Sequence, residues 1–123
     1  MQLTQNPLTG DHFIKSYSPG DIQINDTHYK NSLIIASDKL IENWPPQTIT
    51  EFQPHYLDAI IQLHPEIVLL GTGEKQHFVD NRLLLPLINN HIGFEIMHTA
   101  AACRTFNLLA GEGRRVVAGL MMR

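Results

Sequence analysis

The chain has 123 residues, of which 43% are hydrophobic, and a formal net charge of -3 at pH 7. This length is typical of one domain and too short for two, and it can bury about two thirds of the surface that the unfolded chain exposes. The nine lysines and arginines are scattered and form no stripe that would neutralise a phosphate backbone, so nucleic acid is excluded as an expected partner.

Targeting signals and membrane spans are not expected. The stretch from Met1 to Pro7 has neither a basic start nor an apolar core, so it does not read as a secretory signal or transit peptide. No apolar run approaches the length of about 20 residues that crosses a bilayer. Cys103 is the single cysteine, which excludes an internal disulfide and agrees with a reducing compartment. We therefore expect a soluble cytoplasmic protein.

The first half of the chain reads as short strands. Phe13 to Tyr17, Ile22 to Tyr29 with a turn near Asn25-Asp26, and Ser32 to Ala36 are predicted to form an antiparallel meander of three or four strands. Trp44-Pro45-Pro46 then forbids regular structure, because each proline fixes its φ angle and lacks an amide donor. We expect a connector in which Trp44 covers core.

The first helix is predicted downstream of that connector. Thr50 is read as its capping residue, Pro54 lies near its first turn, and Pro65 is expected to stop it. Its apolar face is predicted from helical spacing at Leu57, Ile60, Ile61 and His64.

Strands and helices alternate in the second half. Ile67 to Leu70 is a continuous apolar run, typical of a strand covered on both faces, and Gly71-Thr72-Gly73 ends it. The following elements are predicted as a helix within Asn81 to Asn90, a strand at Phe94 to Met97, a helix at Thr99 to Ala110 and a strand at Val116 to Met121. Strands separated by helices imply an α/β domain with a mainly parallel or mixed central sheet.

The last helix is predicted to be capped by Thr99 and ended by Gly111. At 100° per residue one side carries Ala102, Cys103, Phe106, Leu109 and Ala110. Leu108 falls on the outer side beside Ala101 and Arg104, where it is either an ordinary exposed leucine or part of a protein contact.

A ligand site is one hypothesis for the carboxyl ends of the parallel strands, where ligands of open α/β sheets bind. Glycines allow a ligand to approach the backbone, and the amides at the start of a helix favour an anion. The candidate ligand-binding residues are Gly71, Thr72, Gly73, His98, Thr99 and Arg104. The simpler alternative is that the two glycines only turn the chain. Three residues form neither a Walker loop nor a dinucleotide fingerprint, so no cofactor is expected.

Cys103 and Glu95 are the candidates for enzyme chemistry, together with Arg104. A cysteine in the first turns of a helix can be a nucleophile, but its place on the apolar side favours a buried, inert thiol. If the sheet is covered at Glu95, its carboxylate needs a partner, which Arg114 can supply as a structural ion pair, with general acid or base catalysis as the alternative. The histidines show no metal-ligand spacing, so no metal is expected. Asn107, mid-helix, is predicted to tie down the turn at Glu112-Gly113.

The C-terminal pattern resembles a known family. It consists of Thr99, Ala102-Cys103, Thr105, Asn107, Leu109, Glu112-Gly113-Arg114, Ala118 and Leu120, with upstream matches at Gly71-Thr72-Gly73, Ile92 and Glu95. On these residues, and from about Ile22 onward, the chain is similar to the largely uncharacterised Mth-type domain family. Pro86 departs from the family pattern, which usually continues a helix there. The resemblance implies a three-layer α/β domain, residues 1–123, with an N-terminal antiparallel β meander.

Three functions remain open from the sequence. Because relatives in this family are associated with building respiratory complex I, the resemblance favours a non-enzymatic interaction or assembly-factor-like protein with protein partners and, as a further option, self-association into a homo-oligomer. A small anionic-ligand binder using the crevice at Gly71, Gly73 and Thr99 is the second. An uncharacterised enzyme is the third.

Overall fold

The computed structural model describes residues 11–123, so the interpretation of Met1 to Pro7 lies outside the described part of the chain. The strands of this part are β1 (Ile14–Ser18), β2 (Asp21–Ile24), β3 (Thr27–Tyr29), β4 (Leu33–Ile35), β5 (Leu40–Ile41), β6 (Ile67–Thr72), β7 (Gly93–Met97) and β8 (Val116–Met121). The α-helices are α1 (Asp58–Ile61), α2 (Leu85–Asn89) and α3 (Thr99–Gly111), and 3₁₀ turns occupy Ile49–Glu51, Pro54–Leu57 and Asn81–Leu84.

The N-terminal strands β1, β2 and β3 form the predicted antiparallel meander. Asn25, in the predicted turn, adopts a positive φ of 52°. The prediction for Ser32 to Ala36 is correct as a strand but wrong in its partner, because β4 pairs with β8 and β5 in the second sheet. Leu33, Ile34 and Ile35 are all fully buried, and such a strand needs cover on both of its faces.

The second sheet has the strand order β5-β4-β8-β6-β7. Strand β6 runs parallel to β7 on one side and to β8 on the other, whereas β4 is antiparallel to both of its neighbours. The predicted α/β fold with a mixed central sheet, flanking helices and an N-terminal meander is confirmed.

Three layers result from the way this sheet is covered. One face packs against α3 and the meander, in a core that includes Ile22, Phe106 and Leu120. The opposite face packs against α1, α2 and the connector, in a core that includes Trp44 and Leu87. The alternation of β6 and β8 residues between the two cores explains why both strands read as continuous apolar runs.

Trp44 covers core as predicted, since only 3% of its surface is exposed. Its indole Nε1 donates a hydrogen bond of 3.1 Å to the backbone oxygen of Tyr56. The ring lies against Gly119 of β8, where a Cβ atom would come within 2.7 Å of the ring. A glycine is therefore required at the centre of β8 for the connector to pack on the sheet.

The first helix differs from its prediction in both ends. Gln53 is the capping residue with extended backbone, and Pro54 occupies the first turn of a 3₁₀ segment that leads into α1. Thr50 is not the cap. Gln53 precedes a proline and therefore avoids helical geometry, and Pro54 favours the first position of a helical segment, so the segment starts at Pro54. The helix ends at Ile61, and His64 is exposed with a φ of 58°, so its assignment to the apolar face is wrong.

Helices α2 and α3 agree more closely with prediction. Pro86 lies in the first turn of α2, where its missing amide costs no hydrogen bond. In α3, Phe106 is fully buried and Leu108 is 61% exposed, which confirms the predicted orientation. The start of α3 is a correction, because His98 rather than Thr99 is the N-cap. The helix ends at Gly111 as predicted, and Gly113, with a φ of 82°, follows the C-cap Glu112.

Candidate functional site

The carboxyl ends of the three parallel strands meet at one edge of the central sheet. Gly71 of β6 pairs with Met97 of β7 and with Leu120 of β8, so the residues that follow these strands come together. This arrangement brings the Gly71-Thr72-Gly73 segment to the start of α3, as the ligand-site hypothesis requires. The contacts between them decide what the segment does.

Thr99 joins the three strand ends. Its hydroxyl accepts a hydrogen bond of 2.8 Å from the Gly73 amide and donates one of 2.6 Å to the backbone oxygen of Met121. The Thr99 amide donates to the Gly73 oxygen at 2.8 Å. Thr99 is fully buried. We call Gly71, Gly73, Thr99 and Met121 the Thr99 junction.

The two glycines of this junction are required by close packing. A Cβ atom at Gly71 would lie 2.8 Å from the Thr99 hydroxyl. Gly73 has a φ of 96°, and a Cβ atom there would collide with the carbonyl group of Arg123. These contacts favour the simpler interpretation, in which the glycines shape the chain.

Most backbone amides at the start of α3 donate hydrogen bonds within the protein. Besides Thr99, the amide of Ala101 donates to His98 Nδ1 at 3.1 Å, and that of Ala102 donates to the His98 oxygen at 3.0 Å. Three of the first four amides of the helix are thus satisfied within the protein. Thr72 is also buried, and its hydroxyl donates to the Lys75 oxygen at 2.5 Å. Of the six candidate ligand-binding residues, Arg104 alone is classed as exposed.

The three candidates for enzyme chemistry differ in burial, since Cys103 is buried and the other two are exposed. Cys103 is 5% exposed, and burial raises the pKa of its thiol to about 12, against a smaller lowering by the Arg104 charge. The predicted buried thiol is confirmed. Glu95 and Arg104 are both exposed.

The predicted pair of Glu95 and Arg114 is wrong. Strand β7 lies at the edge of the sheet, which leaves the Glu95 side chain in solvent. Arg114 instead donates from Nε to Glu66 at 3.3 Å, on the surface. A carboxylate that remains hydrated needs no buried partner.

Asn107 connects two layers rather than a turn. Its Oδ1 accepts a hydrogen bond of 3.1 Å from the Ile14 amide, and its Nδ2 donates one of 2.7 Å to the Ile14 oxygen. The predicted contact with the Glu112-Gly113 turn is therefore wrong. The amide side chain satisfies the backbone of β1 at a point where its pairing with β2 is irregular.

A cavity of about 440 Å³ opens beside the Thr99 junction. We call it the carboxyl-end cavity, and its lining residues are Pro19, Gly20, Glu74, Lys75, His77, Met122 and Arg123. The ligand-binding residues predicted after β6 end at Gly73 and do not include the polar residues that follow β6 and β8. The strand-end rule could have found Lys75 and Arg123, but nothing in the sequence brings the β1–β2 turn to the same place.

Large apolar side chains are exposed on both outer layers. Phe78, Leu85 and Ile88 are 93%, 44% and 39% exposed, and they belong to α2 and the loop before it. We call these three residues the α2 surface. Leu108 lies on the α3 side of the molecule.

Neither a metal cluster nor a membrane span is found in residues 11–123. No group of three or more histidine, cysteine or acidic side chains there is placed to hold a metal ion. No described helix is both long and apolar enough to cross a membrane.

The fold and the C-terminal pattern define an α/β domain of the Mth-type class. Residues 14–121 match the family described as "Protein of unknown function (DUF498/DUF598)", and the chain belongs to this family. The solution structure of a Bordetella pertussis protein, described as a Mth938-like domain, is similar to this chain with a TM-score of 0.83 and 28% identity, over 99% of this chain and 92% of that one.

Two curated relatives carry different names. The chain is 30% identical over 117 residues to the "13 kDa major membrane protein" of Francisella tularensis, covering 94% of this chain and 95% of that protein. It is 28% identical over 123 residues to the rat protein named NADH dehydrogenase (ubiquinone) 1 alpha subcomplex assembly factor 3, covering 98% of this chain. The match spans 66% of the rat protein's length.

Proposed function

We propose that the protein is a non-enzymatic, assembly-factor-like protein that works through contacts with other proteins during assembly of the respiratory NADH dehydrogenase, complex I. The observation that carries this proposal is the similarity to the rat assembly factor along 98% of the chain. The similarity covers nearly all of this chain but only part of the rat protein. Any function that the two proteins have in common therefore belongs to the matched part.

The surface of the molecule supports a role in protein contacts. Phe78 is 93% exposed, so its side chain contributes little to the core and is free to insert into a partner. Aromatic residues in the centre of a contact often supply much of its binding energy. The α2 surface places this aromatic near two further apolar side chains in sequence, and we assign the partner contact to it.

Removal of the gene tests the assembly role. We expect less fully assembled complex I on native gels stained for NADH dehydrogenase activity, with smaller assembly intermediates accumulating. Another respiratory complex on the same gel is the control, and the wild-type gene should restore assembly. Unchanged complex I in the deletion strain would contradict the proposal.

Two matched variants test the surface. Phe78→Ser removes the exposed aromatic from the α2 surface, and Leu108→Ser removes an exposed leucine from the opposite layer. Both should fold, since exposed apolar side chains contribute little to stability. We expect affinity capture with Phe78→Ser to lose the complex I proteins that the wild-type chain retains, and capture with Leu108→Ser to keep them. The reverse result would move the contact to the α3 side.

The predicted cytoplasmic location is part of the same proposal. A relative is named a membrane protein, so the location requires its own test. Fractionation of cells, followed by a carbonate wash of the membranes, should leave the protein in the soluble fraction. Retention in washed membranes would contradict the cytoplasmic assignment without affecting the deletion experiment.

A further inference from the structure

The carboxyl-end cavity lies where ligands of open α/β sheets bind. Glu74, Lys75 and His77 follow β6, and Arg123 follows β8, so their side chains gather at the carboxyl ends of two adjacent parallel strands. The volume of about 440 Å³ is in the range of sites for small molecules. Its position is therefore that of a ligand site, displaced by one loop from the crevice that the sequence suggested.

The distribution of cations singles out this cavity. Five of the nine lysines and arginines form ion pairs, namely Lys15, Lys30, Arg82, Arg114 and Arg115. Among residues 11–123, the four without one are Lys39, Lys75, Arg104 and Arg123. Lys75 and Arg123 line the same cavity, whereas Lys39 and Arg104 do not. Two cations without an ion-pair partner in one concave site attract an anion more strongly than scattered ones, and the Glu74 carboxylate in the same lining offsets part of that attraction.

One buried hydroxyl among the described residues has no hydrogen-bond partner. It belongs to Tyr17, which precedes the β1–β2 turn. Burial raises the pKa of this phenol most, and the charges of Cys103 and Glu74 add to the effect. Most buried hydroxyls are hydrogen-bonded, so that of Tyr17 is an exception, but Tyr17 is not among the residues that line the cavity.

The walls of the cavity are held by backbone contacts. The Thr72 hydroxyl donates a hydrogen bond to the backbone oxygen of Lys75, and the Met122 amide donates one of 3.2 Å to the Ser32 hydroxyl. The Arg123 amide donates to the Gln47 oxygen at 3.0 Å. Fixed walls reduce the ordering cost of binding, which is the condition for a small site to hold a ligand.

We propose that the carboxyl-end cavity binds the carboxylate or phosphate group of a small organic anion. The anionic group lies between Lys75 and Arg123, and the carbon skeleton packs against Pro19. Glu74 accepts a hydrogen bond from a donor group on the same ligand. This site is additional to the protein contacts proposed above, and none of its lining residues belongs to the α2 surface, although His77 of the cavity directly precedes Phe78 in the chain.

The test is a calorimetric titration of the full chain with succinate and with inorganic phosphate, at an ionic strength held constant with sodium chloride. Succinamide, which has the shape of succinate without its charges, is the neutral comparison. We expect saturable binding of at least one of the two anions and none of succinamide. The anion that binds distinguishes a carboxylate from a phosphate ligand.

A pair of double variants assigns the binding to the cavity. Lys75→Gln with Arg123→Gln should weaken the affinity by at least about tenfold, as expected when hydrogen bonds to charged groups are lost. Lys39→Gln with Arg104→Gln removes the same charge elsewhere and should change the affinity by less than about twofold, because distant surface charges are screened by salt. All four side chains are exposed, and unchanged melting temperatures without ligand would show that both variants fold.

Three results would overturn the assignment. The first is no saturable binding of succinate or phosphate by the folded wild-type chain. The second is an equal loss in both double variants, which would mean general charge attraction. The third is binding of succinamide as tight as that of succinate. The deletion phenotype does not depend on any of these results, so this proposal and the assembly role can fail separately.

Discussion

Asn107 offers the most direct test of how the layers are joined, because its side chain makes both hydrogen bonds between α3 and the backbone of Ile14. Asn107→Ala leaves the Ile14 amide and oxygen without these partners. Each unsatisfied group costs about 1–3 kcal/mol when fully buried, and less here because the contact is only partly buried. Alanine returns about 0.5 kcal/mol through its helix propensity.

The net loss for Asn107→Ala is about 2–3 kcal/mol. Globular proteins unfold with an entropy of about 2.1 cal/mol/K per residue, so 123 residues give about 0.26 kcal/mol/K and the melting temperature should fall by about 8–12 °C. Urea denaturation followed by circular dichroism measures the free energy directly. Asn89→Ala, at an exposed position of α2, is the control and should cost less than about 0.5 kcal/mol.

Asn107→Asp adds a pH dependence whose sign is set by the same geometry. The carboxylate still accepts from the Ile14 amide but faces the Ile14 oxygen, whereas the protonated acid can donate to that oxygen. The folded state therefore raises the pKa of the introduced acid above about 3.9, and the stability that this donor contributes is lost as pH rises through the raised pKa. The deficit relative to wild type should be smaller at pH 4 than at pH 7. A loss for Asn107→Ala below about 0.5 kcal/mol, or a deficit for Asn107→Asp that is the same at both pH values, would refute the reasoning.

Three further predictions follow from burial and backbone geometry. Phe106→Ala should cost about 3–5 kcal/mol and Leu108→Ala less than about 1 kcal/mol in urea denaturation, and equal losses would show that the orientation of α3 is wrong. Cys103 should react slowly with iodoacetamide in the native protein and quickly in denaturant, and rapid native labelling near pH 7 would contradict its burial. Gly20→Ala should cost about 1–2 kcal/mol for its positive φ alone, whereas Gly73→Ala should cost clearly more, since its Cβ also collides with backbone; equal melting temperatures would exclude that collision.

Apolar pattern was the part of the sequence that predicted the fold. Continuous runs at Ile67 to Leu70 and Val116 to Met121 indicated strands covered on both faces, and the helical phase of α3 separated Phe106 from Leu108 correctly. These predictions succeed because burial depends on many side chains that share one period. The strand at Ser32 to Ala36 had the same apolar character, but apolar character does not specify which sheet a strand joins.

Polar residues were predicted less well, because a polar side chain reveals that it needs a partner without revealing which one. Asn107 binds a backbone 93 residues away, and Glu95 needs no partner because β7 lies at the sheet edge. Thr50 has a side chain that can cap a helix, but the proline four residues later determines where the helical segment starts. The hydrogen-bond partner of a polar side chain is set by the tertiary structure, and it cannot be identified from a single sequence.

The candidate site illustrates the same limit and also a way around it. The strand-end rule pointed to the edge of the sheet where the cavity lies, yet the residues closest to the strand ends hydrogen-bond to one another and join the strands. Thr99 and Gly73 are bonded to each other, and the cavity begins one residue further along the chain. The buried hydroxyls of Thr72 and Thr99 are already hydrogen-bonded to neighbouring backbone, whereas the first exposed charges beyond them, Lys75 and Arg123, have no ion-pair partner among the described residues. In this chain, the charged residues just beyond the glycine turn are therefore the ligand candidates that we propose in place of Gly71 and Gly73, because the packing that requires these two glycines leaves no room for a ligand beside them.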